Sequence, residues 1–275
     1  MESSHQLLEK SRKTAVEAGE LLREGFGRLR SGDVSMKGYG DYVTTMDHAS
    51  EAFIINAIKE TYPDHRIYAE ESGLDAQDSD YLWLIDPLDG TANYVHGIPV
   101  YSVSIAVKKK NQLVAGVVYH VESNELFYAE SGKGAFLNGQ PIRVSQTRSL
   151  DKAMLGTGFP WRSKPYIDNY IKTFHQMFFE AAGMRRMGSA AIDLSYVACG
   201  RLDGFWEMHL RSYDIGAGIL LTREAGGIVS DFTGGNTCLN SGNILAANPH
   251  VHRQLLEVTR EHLCQVPGID DSQVC

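Results

Sequence analysis

The chain has 275 residues, 43% hydrophobic and 22% charged, which suits one large globular domain or two packed halves and excludes a disordered chain. Its 26 basic residues face 34 acidic ones, a formal net charge of −8. That balance argues against general nucleic-acid binding, and an anionic substrate would need a bound cation to reverse the local sign.

Apolar and small residues at Leu7, Leu8, Ser11, Ala15, Ala18, Leu22, Phe26 and Leu29 share one face of a first helix, expected to end near Ser31-Gly32. The first ten residues are polar and lack the apolar core of a signal peptide, and no apolar run is long enough to span a membrane. A second helix is expected over 47–62, with Asp47 as its N-cap and Pro63 ending it. Strands follow at 81–85, 100–107, 112–119 and 125–129. Their links are too short for crossover helices, so this meander reads as antiparallel. Past about residue 145, strand-like pieces (153–157, 204–208, 227–231, 243–247) alternate with helices at 164–182, 189–199, 214–225 and 249–263. Gly200 and Gly226 stand where C-terminal caps belong. About the last ten residues read as a tail. Cys199, Cys238, Cys264 and Cys275 form no C-x-x-C pair, which argues against zinc and for free thiols in a reducing compartment. The expected location is the cytoplasm.

Acidic residues gather at the ends of these elements: Glu70-Glu71-Ser72, Asp86-Pro87-Leu88-Asp89-Gly90-Thr91, Asp214 at a helix start and Asp47 at another. Pro87 stiffens the exit from its strand and Gly90 permits a tight turn, so Asp86, Asp89 and the Leu88 carbonyl can serve one site from one short segment. Taken singly, Asp-Pro-x-Asp-Gly is more often a turn, Glu-Glu-Ser a solvated loop, and Asp47 and Asp214 helix caps. Together they would repel unless cations lay between them. Carboxylate and carbonyl oxygens with few histidines favour Mg²⁺ over zinc, and Mg²⁺ keeps waters and takes phosphate oxygens as further ligands.

The string Glu70-Glu71-Ser72 … Trp83-Leu84-Ile85-Asp86-Pro87-Leu88-Asp89-Gly90-Thr91-Ala92-Asn93-Tyr94 resembles the first signature of the inositol monophosphatase family. Tyr213-Asp214-Ile215-Gly216-Ala217-Gly218 with Glu224-Ala225-Gly226-Gly227 resembles its second. Thr157-Gly158-Phe159-Pro160, Arg185-Arg186-Met187-Gly188-Ser189-Ala190-Ala191 and Gly200-Arg201-Leu202-Asp203-Gly204-Phe205 are similar to the bacterial inositol-1-monophosphatase type. The resemblance implies a layered α+β or α/β sugar-phosphatase-type fold of alternating helix and sheet layers. Its N-terminal sheet would be antiparallel and its C-terminal sheet mixed. Residues 1–145 would form a half carrying most metal ligands, and 146–275 a half carrying Asp214 and the substrate rim. Carried over by residue, it implies Glu70, Asp86 and the Leu88 carbonyl on one Mg²⁺, and Asp86, Asp89 and Asp214 on a second. A third Mg²⁺ would touch Glu70. Glu70 and Thr91 would hold the attacking water, with Asp47 pairing the threonine hydroxyl. Gly90 and Thr91 would offer N–H groups to phosphate, and Asp89, Gly188, Ser189, Ala190 and Glu207 would meet the substrate hydroxyls. Lithium sensitivity is implied as well. The sequence departs from the family at Tyr213, usually Trp, and at Gly216, usually Ala, beside Asp214 rather than on it.

The expected activity is Mg²⁺-dependent hydrolysis of myo-inositol monophosphate and similar small polyol phosphates. One rival keeps the chemistry and changes the ester to fructose-1,6-bisphosphate, histidinol phosphate or a 3′-phosphoadenosine nucleotide. Another uses the fold as a non-catalytic scaffold for a protein or RNA. Gly132-Lys133-Gly134 reads as a turn, Lys108-Lys109-Lys110 as a solvated hairpin tip, and His250 and His252 as surface residues. Arg185 and Arg186 would reach the substrate rim or a partner. Phe174, Met177, Phe178 and Phe179 supply a core and an apolar face suited to a homodimer.

Overall fold

Leu82, Trp83, Leu84 and Ile85 are consecutive and all buried, which a strand allows only when both faces of its sheet are covered. The computed structural model describes residues 2–38, 40–269 and 271. In chain order its elements are α1 (Ser4–Gly25), β1 (Val34–Gly38), β2 (Asp41–Thr44), α2 (Thr45–Thr61), β3 (Arg66–Ala69), β4 (Gly73–Leu74), β5 (Tyr81–Asp89), α3 (Thr91–Val95), β6 (Ser102–Lys109), β7 (Gln112–His120), β8 (Glu125–Glu130), β9 (Ala135–Leu137) and β10 (Gln140–Ile142). There follow β11 (Met154–Thr157), α4 (Ile167–Glu180), β12 (Gly183–Arg185), α5 (Ala190–Ala198), β13 (Gly204–Glu207), α6 (Ser212–Glu224), β14 (Ile228–Ser230), α7 (Cys238–Ser241), β15 (Ile244–Ala247) and α8 (Pro249–Leu263).

The layers alternate as expected. Trp83 and Ile85 of β5 pack with Leu7, Ala15, Leu22, Ile54 and Ile58 of α1 and α2. Leu82 and Leu84 point the other way, against Ala217, Leu220 and Leu221 of α6. On the far side of α5 and α6, Leu194, Ile215 and Ile219 meet Phe205, Ile244 and Ala246 of the second sheet. The opposite face of that sheet, Trp206, Leu245 and Ala247, packs on Tyr170 and Met177 of α4 and on Val251 and Leu255 of α8. The order of layers is helix, sheet, helix, sheet, helix.

The first sheet has strand order β10-β9-β8-β7-β6-β5-β3-β4. It is antiparallel apart from one parallel pair, β3 with β5, which the chain cannot join as a hairpin. The second sheet, β12-β11-β13-β15-β14, mixes parallel and antiparallel pairs as expected. A separate β1–β2 hairpin, unforeseen from the sequence, precedes α2.

Several local expectations need correction. Helix α1 stops at Gly25 rather than near residue 31, its last carbonyls taken by the Phe26 N–H. Thr44, not Asp47, caps α2. Asp47 is the third helical residue, and its carboxylate accepts from the Thr44 N–H at 2.8 Å. Helix α4 starts at Ile167 because Pro165 and a non-helical Ser163 confine residues 161–166 to a 3-10 turn. His252 is buried, its Nε2 2.9 Å from Ser230 Oγ, and burial lowers its pKa to about 4. Lys108 is buried where a solvated tip was expected. The tail expectation fails for 266–269 and 271, because Val266 and Asp271 are buried; residues 270 and 272–275 lie outside the described residues. Cys199, Cys238 and Cys264 are free thiols, and Cys275 lies outside the described residues. Among the described residues no helix is long and apolar enough to cross a membrane.

Candidate active site

In a regular strand, residues three apart face opposite ways. Asp86 and Asp89 share a site because β5 is bulged there: Asp86 pairs with Ser104 and Asp89 with Ser102, so three steps on β5 match two on β6. Pro87 sits in the bulge, where no ladder N–H is needed. Its carbonyl accepts from Ser50 Oγ at 2.8 Å, and the Leu88 N–H donates to Asp86 Oδ1 at 3.1 Å. Gly90 then turns with φ +97°. A side chain there would be strained, and its Cβ would lie 2.9 Å from the Val100 carbonyl oxygen. Glu70 arrives from the neighbouring strand, its N–H donating to the Ile85 carbonyl.

One cavity of about 280 Å³ is lined by Glu70, Asp86, Leu88, Asp89, Gly90, Thr91, Gly188, Ser189, Ala190, Glu207 and Asp214. The fold therefore gathers every expected site residue around it except Asp47, which stands directly behind. Asp47 is fully buried and its Oδ1 accepts from Thr91 Oγ1 at 2.9 Å. The same hydroxyl lies 3.0 Å from the Leu88 carbonyl oxygen. It has one hydrogen, so the two acceptors compete for it.

Ser189 is the N-cap of α5 and lines the cavity, and its hydroxyl donates to Asp89 Oδ2 at 2.6 Å. The Ala191 N–H also donates to Asp89 Oδ2, at 2.8 Å. Asp89, from the first sheet, thus completes the cap of a helix that covers the second. Asp214 is the third residue of α6, not its cap, and accepts from the Arg211 N–H at 2.7 Å. The departure at Gly216 has a packing reason: a Cβ there would stand 2.9 Å from Leu84 Cδ1. Tyr213 remains buried, its ring edge-on to Tyr68.

The electrostatics are those of crowded acids. Burial, then Asp214, pushes Glu70 up to about 8, against the pull of Lys37. Burial raises Asp89 to about 7, with the Ser189 hydrogen bond opposing and Asp214 adding. Asp86 lies well above the carboxylate range through burial and then the charges of Glu70, Asp89 and Asp214. Asp47 is also raised by burial, against its bonds from Thr44 and Thr91. Such a cluster holds protons or takes up cations. Its expected donors are carboxylates and a carbonyl, a set that suits Mg²⁺; His209 also lines the cavity, but its ring nitrogens meet Ser163 Oγ and the Pro267 carbonyl. Among the described residues no three or more Asp, Glu, His or Cys side chains are so disposed that they alone form a ready-made metal-holding group. A cation that completes its shell with water and phosphate does not require one.

Sequence reasoning missed three contributors: Lys37, Gly158 and Asp193. Lys37, on the β1–β2 hairpin, lies 3.3 Å from Glu70 Oε1 and 2.5 Å from Glu71 Oε1. Gly158 makes room for Glu207, whose carboxylate lies 1.9–2.2 Å from where a Cβ at 158 would stand. Asp193 lines the cavity with its Oδ1 buried and unpartnered, and burial and then Glu207 raise its pKa well above normal. Arg186 lines the rim, one of the two places expected for it, with its guanidinium over the Phe159 ring. The Thr-Gly-Phe-Pro string was the available signal for Gly158. The others depend on contacts between distant segments.

The sequence matches the inositol monophosphatase family over residues 3–266. It is 48% identical over 260 residues to the Nus factor SuhB of Escherichia coli K12, covering 94% of this chain and 97% of that protein. It is 42% identical over 252 residues to an inositol-1-monophosphatase of Mesorhizobium japonicum, covering 91% and 95%. Among solved structures, the extragenic suppressor protein SuhB of Bartonella henselae superposes with a TM-score of 0.90 at 40% identity, covering 94% of this chain and all of that one. The IMPase of Thermotoga maritima superposes at 0.86 and 36% identity, covering 94% and 99%. By its signatures, its alternating layers, its acidic cavity and these likenesses, the chain belongs to the inositol monophosphatase family.

Proposed function

We propose that this phosphatase hydrolyses myo-inositol monophosphate and similar small polyol phosphates with two to three Mg²⁺ ions. The observation that carries the reading is the convergence of Glu70, Asp86, Asp89, Asp214 and the Leu88 carbonyl on one cavity, backed by the Thr91–Asp47 pair. Glu70, Asp86 and Leu88 would hold one ion, Asp86, Asp89 and Asp214 a second, and Glu70 a third. When bound, the ions acidify water and offset phosphate charge. Asp47 takes the Thr91 hydroxyl hydrogen, which leaves the lone pairs of Thr91 Oγ1 to accept from the attacking water. Glu70 accepts a hydrogen bond from the water's other hydrogen, so the oxygen is aimed at phosphorus; as the new P–O bond forms, the P–O bond to the alcohol breaks and the proton that the water gives up ends on the departing alcohol oxygen. The N–H groups of Gly90 and Thr91 steady the phosphate. Glu207, Asp89 and the Gly188-Ser189-Ala190 turn select the alcohol.

On this reading residues 1–145 supply most cation ligands and 146–275 supply Asp214 and the substrate rim. The enzyme acts in the cytoplasm as a homodimer, to which the exposed Ile171, Phe178 and Phe179 of α4 would contribute. Phosphate release from myo-inositol 1-phosphate, with and without Mg²⁺ and beside a panel of sugar phosphates, tests it. No Mg²⁺-dependent release from any member would refute it. A second, non-catalytic role with a protein or RNA partner rests on one finding, the name Nus factor borne by relatives at 48% identity. Partner binding that survives in a catalytically inert variant would support it.

A further inference from the structure

The family match ends at residue 266, and the chain continues. Of the residues beyond that point, 267–269 and 271 are anchored. The Pro267 carbonyl lies 2.8 Å from His209 Nε2, the Ile269 N–H donates to Ser241 O at 2.8 Å, and the Asp271 N–H donates to Asn240 O at 3.2 Å. Gly268 lies against Ser241 so closely that a Cβ there would come within 2.4 Å of the serine Cβ. This path carries Ile269 past a cavity that also touches Glu70 and Tyr213. It delivers a buried carboxylate, Asp271, between two elements of different layers. Tyr68 Oη donates to Asp271 Oδ1 at 2.9 Å, the Ser212 N–H donates to Oδ2 at 2.9 Å, and Arg211 Nη1 lies 3.5 Å from Oδ1.

Tyr68 stands two residues before Glu70, and Ser212 two before Asp214. We propose that Asp271 is a positioning residue: the C-terminal extension straps the strand that presents Glu70 to the helix turn that presents Asp214, and so sets the separation of two cation ligands. Glu70 and Asp214 have no chain connection shorter than the intervening fold, and their charges repel. One acceptor held by both neighbouring segments opposes that spreading. A buried carboxylate also accepts from an N–H and an O–H at once, which a neutral side chain of the same size does less strongly.

The inference rests on the Mg²⁺ reading above. Outer partners of metal ligands typically change affinity by about 10- to 100-fold. Asp271 acts one step further out, so the lower end, about tenfold, is expected. The test is calorimetric titration of Mg²⁺ into the metal-free full-length protein and its Asp271→Ala, Tyr68→Phe and doubly substituted forms, with Tm measured in chelator. Asp271→Ala should weaken Mg²⁺ binding about tenfold and Tyr68→Phe a few-fold. The double variant should be no worse than Asp271→Ala alone, because the two act through one bond. Wild-type binding with unchanged affinity in the variants, whatever their Tm, would overturn the strap and leave the catalytic reading standing. A wild-type protein that binds no Mg²⁺ would fell both. If Asp271→Ala does not fold, Tyr68→Phe, which removes one oxygen atom, decides between the same two results.

Discussion

Gly158→Ala separates recognition from chemistry. The added methyl would begin 1.9–2.2 Å from the carboxylate of Glu207, so that side chain must turn away from its present place in the cavity. Nothing else in the proposed machinery touches position 158 so closely, and the acids that would hold cations stay where they are. The loss is then the contact between Glu207 and a substrate hydroxyl. A hydrogen bond to a charged group is worth roughly 1.5–3 kcal/mol. At about 1.4 kcal/mol per decade, kcat/KM for inositol 1-phosphate should fall between about ten- and a hundredfold. p-Nitrophenyl phosphate presents no polyol hydroxyl and should lose much less. Glu207→Gln should mimic the effect, and the double variant should add little to either. Steady-state kinetics on both esters provides the assay. Equal losses on the two substrates, or additive losses in the double variant, would show that position 158 acts on the fold or the cation site and not through Glu207.

Asp89→Asn should nearly abolish turnover while keeping the fold: the amide oxygen can still accept from Ser189 and Ala191, but the charge offered to a cation is gone. Near-wild-type activity at saturating Mg²⁺ would disprove the ligand assignment. Lithium should inhibit at millimolar levels at saturating substrate, where a monovalent ion in a Mg²⁺ position holds product without supporting the next attack; unchanged rates would count against the second site. The metal-free protein should lose stability with rising pH. Glu70 and Asp89, raised to about 8 and about 7, hold protons that the unfolded chain has released. Their contribution is complete below about pH 4 and disappears as pH passes through 7 to 8. Tm in chelator should fall over that interval, and excess Mg²⁺ should remove the slope; a flat Tm without metal would refute the crowding argument.

The legible part of the sequence was local. Asp86 to Thr91 could be read because a strand end, a proline, a glycine and two acids lie within six residues. Helix α8 could be bounded because Asn248 caps it and Pro249 opens it. The ends of α1 and α4 were misjudged because periodicity continues past the residues whose backbone leaves the helix. Asp47 looked like a cap because a helix start offers that role to any early acid. Its burial behind Thr91 depends on β5, some forty residues away. Asp193 sits among apolar residues of a buried helix, and Asp271 in a segment whose composition signals nothing; only the packing of distant elements gives either one a place. The bulge that turns Asp86 and Asp89 to one side is likewise a property of the β5–β6 pair rather than of either string.

Helix α6, which presents Asp214, is seated by absent side chains. Gly116 of β7 faces Ala217, where a Cβ would come within 3.1 Å of Ala217 Cα. Gly216 faces Leu84, and a Cβ on Gly218 would stand only 2.5 Å from the side chain of Leu194 in α5. These glycines act as shims that set the spacing between the central helices and the sheet. Adding one methyl would move Asp214 relative to Asp86, although neither residue had changed. Volume at 216 and at 84 should therefore trade off across the family, with alanine at the first accompanied by a smaller side chain at the second. The distance between the two acids would then be inherited through apolar residues that never touch the substrate.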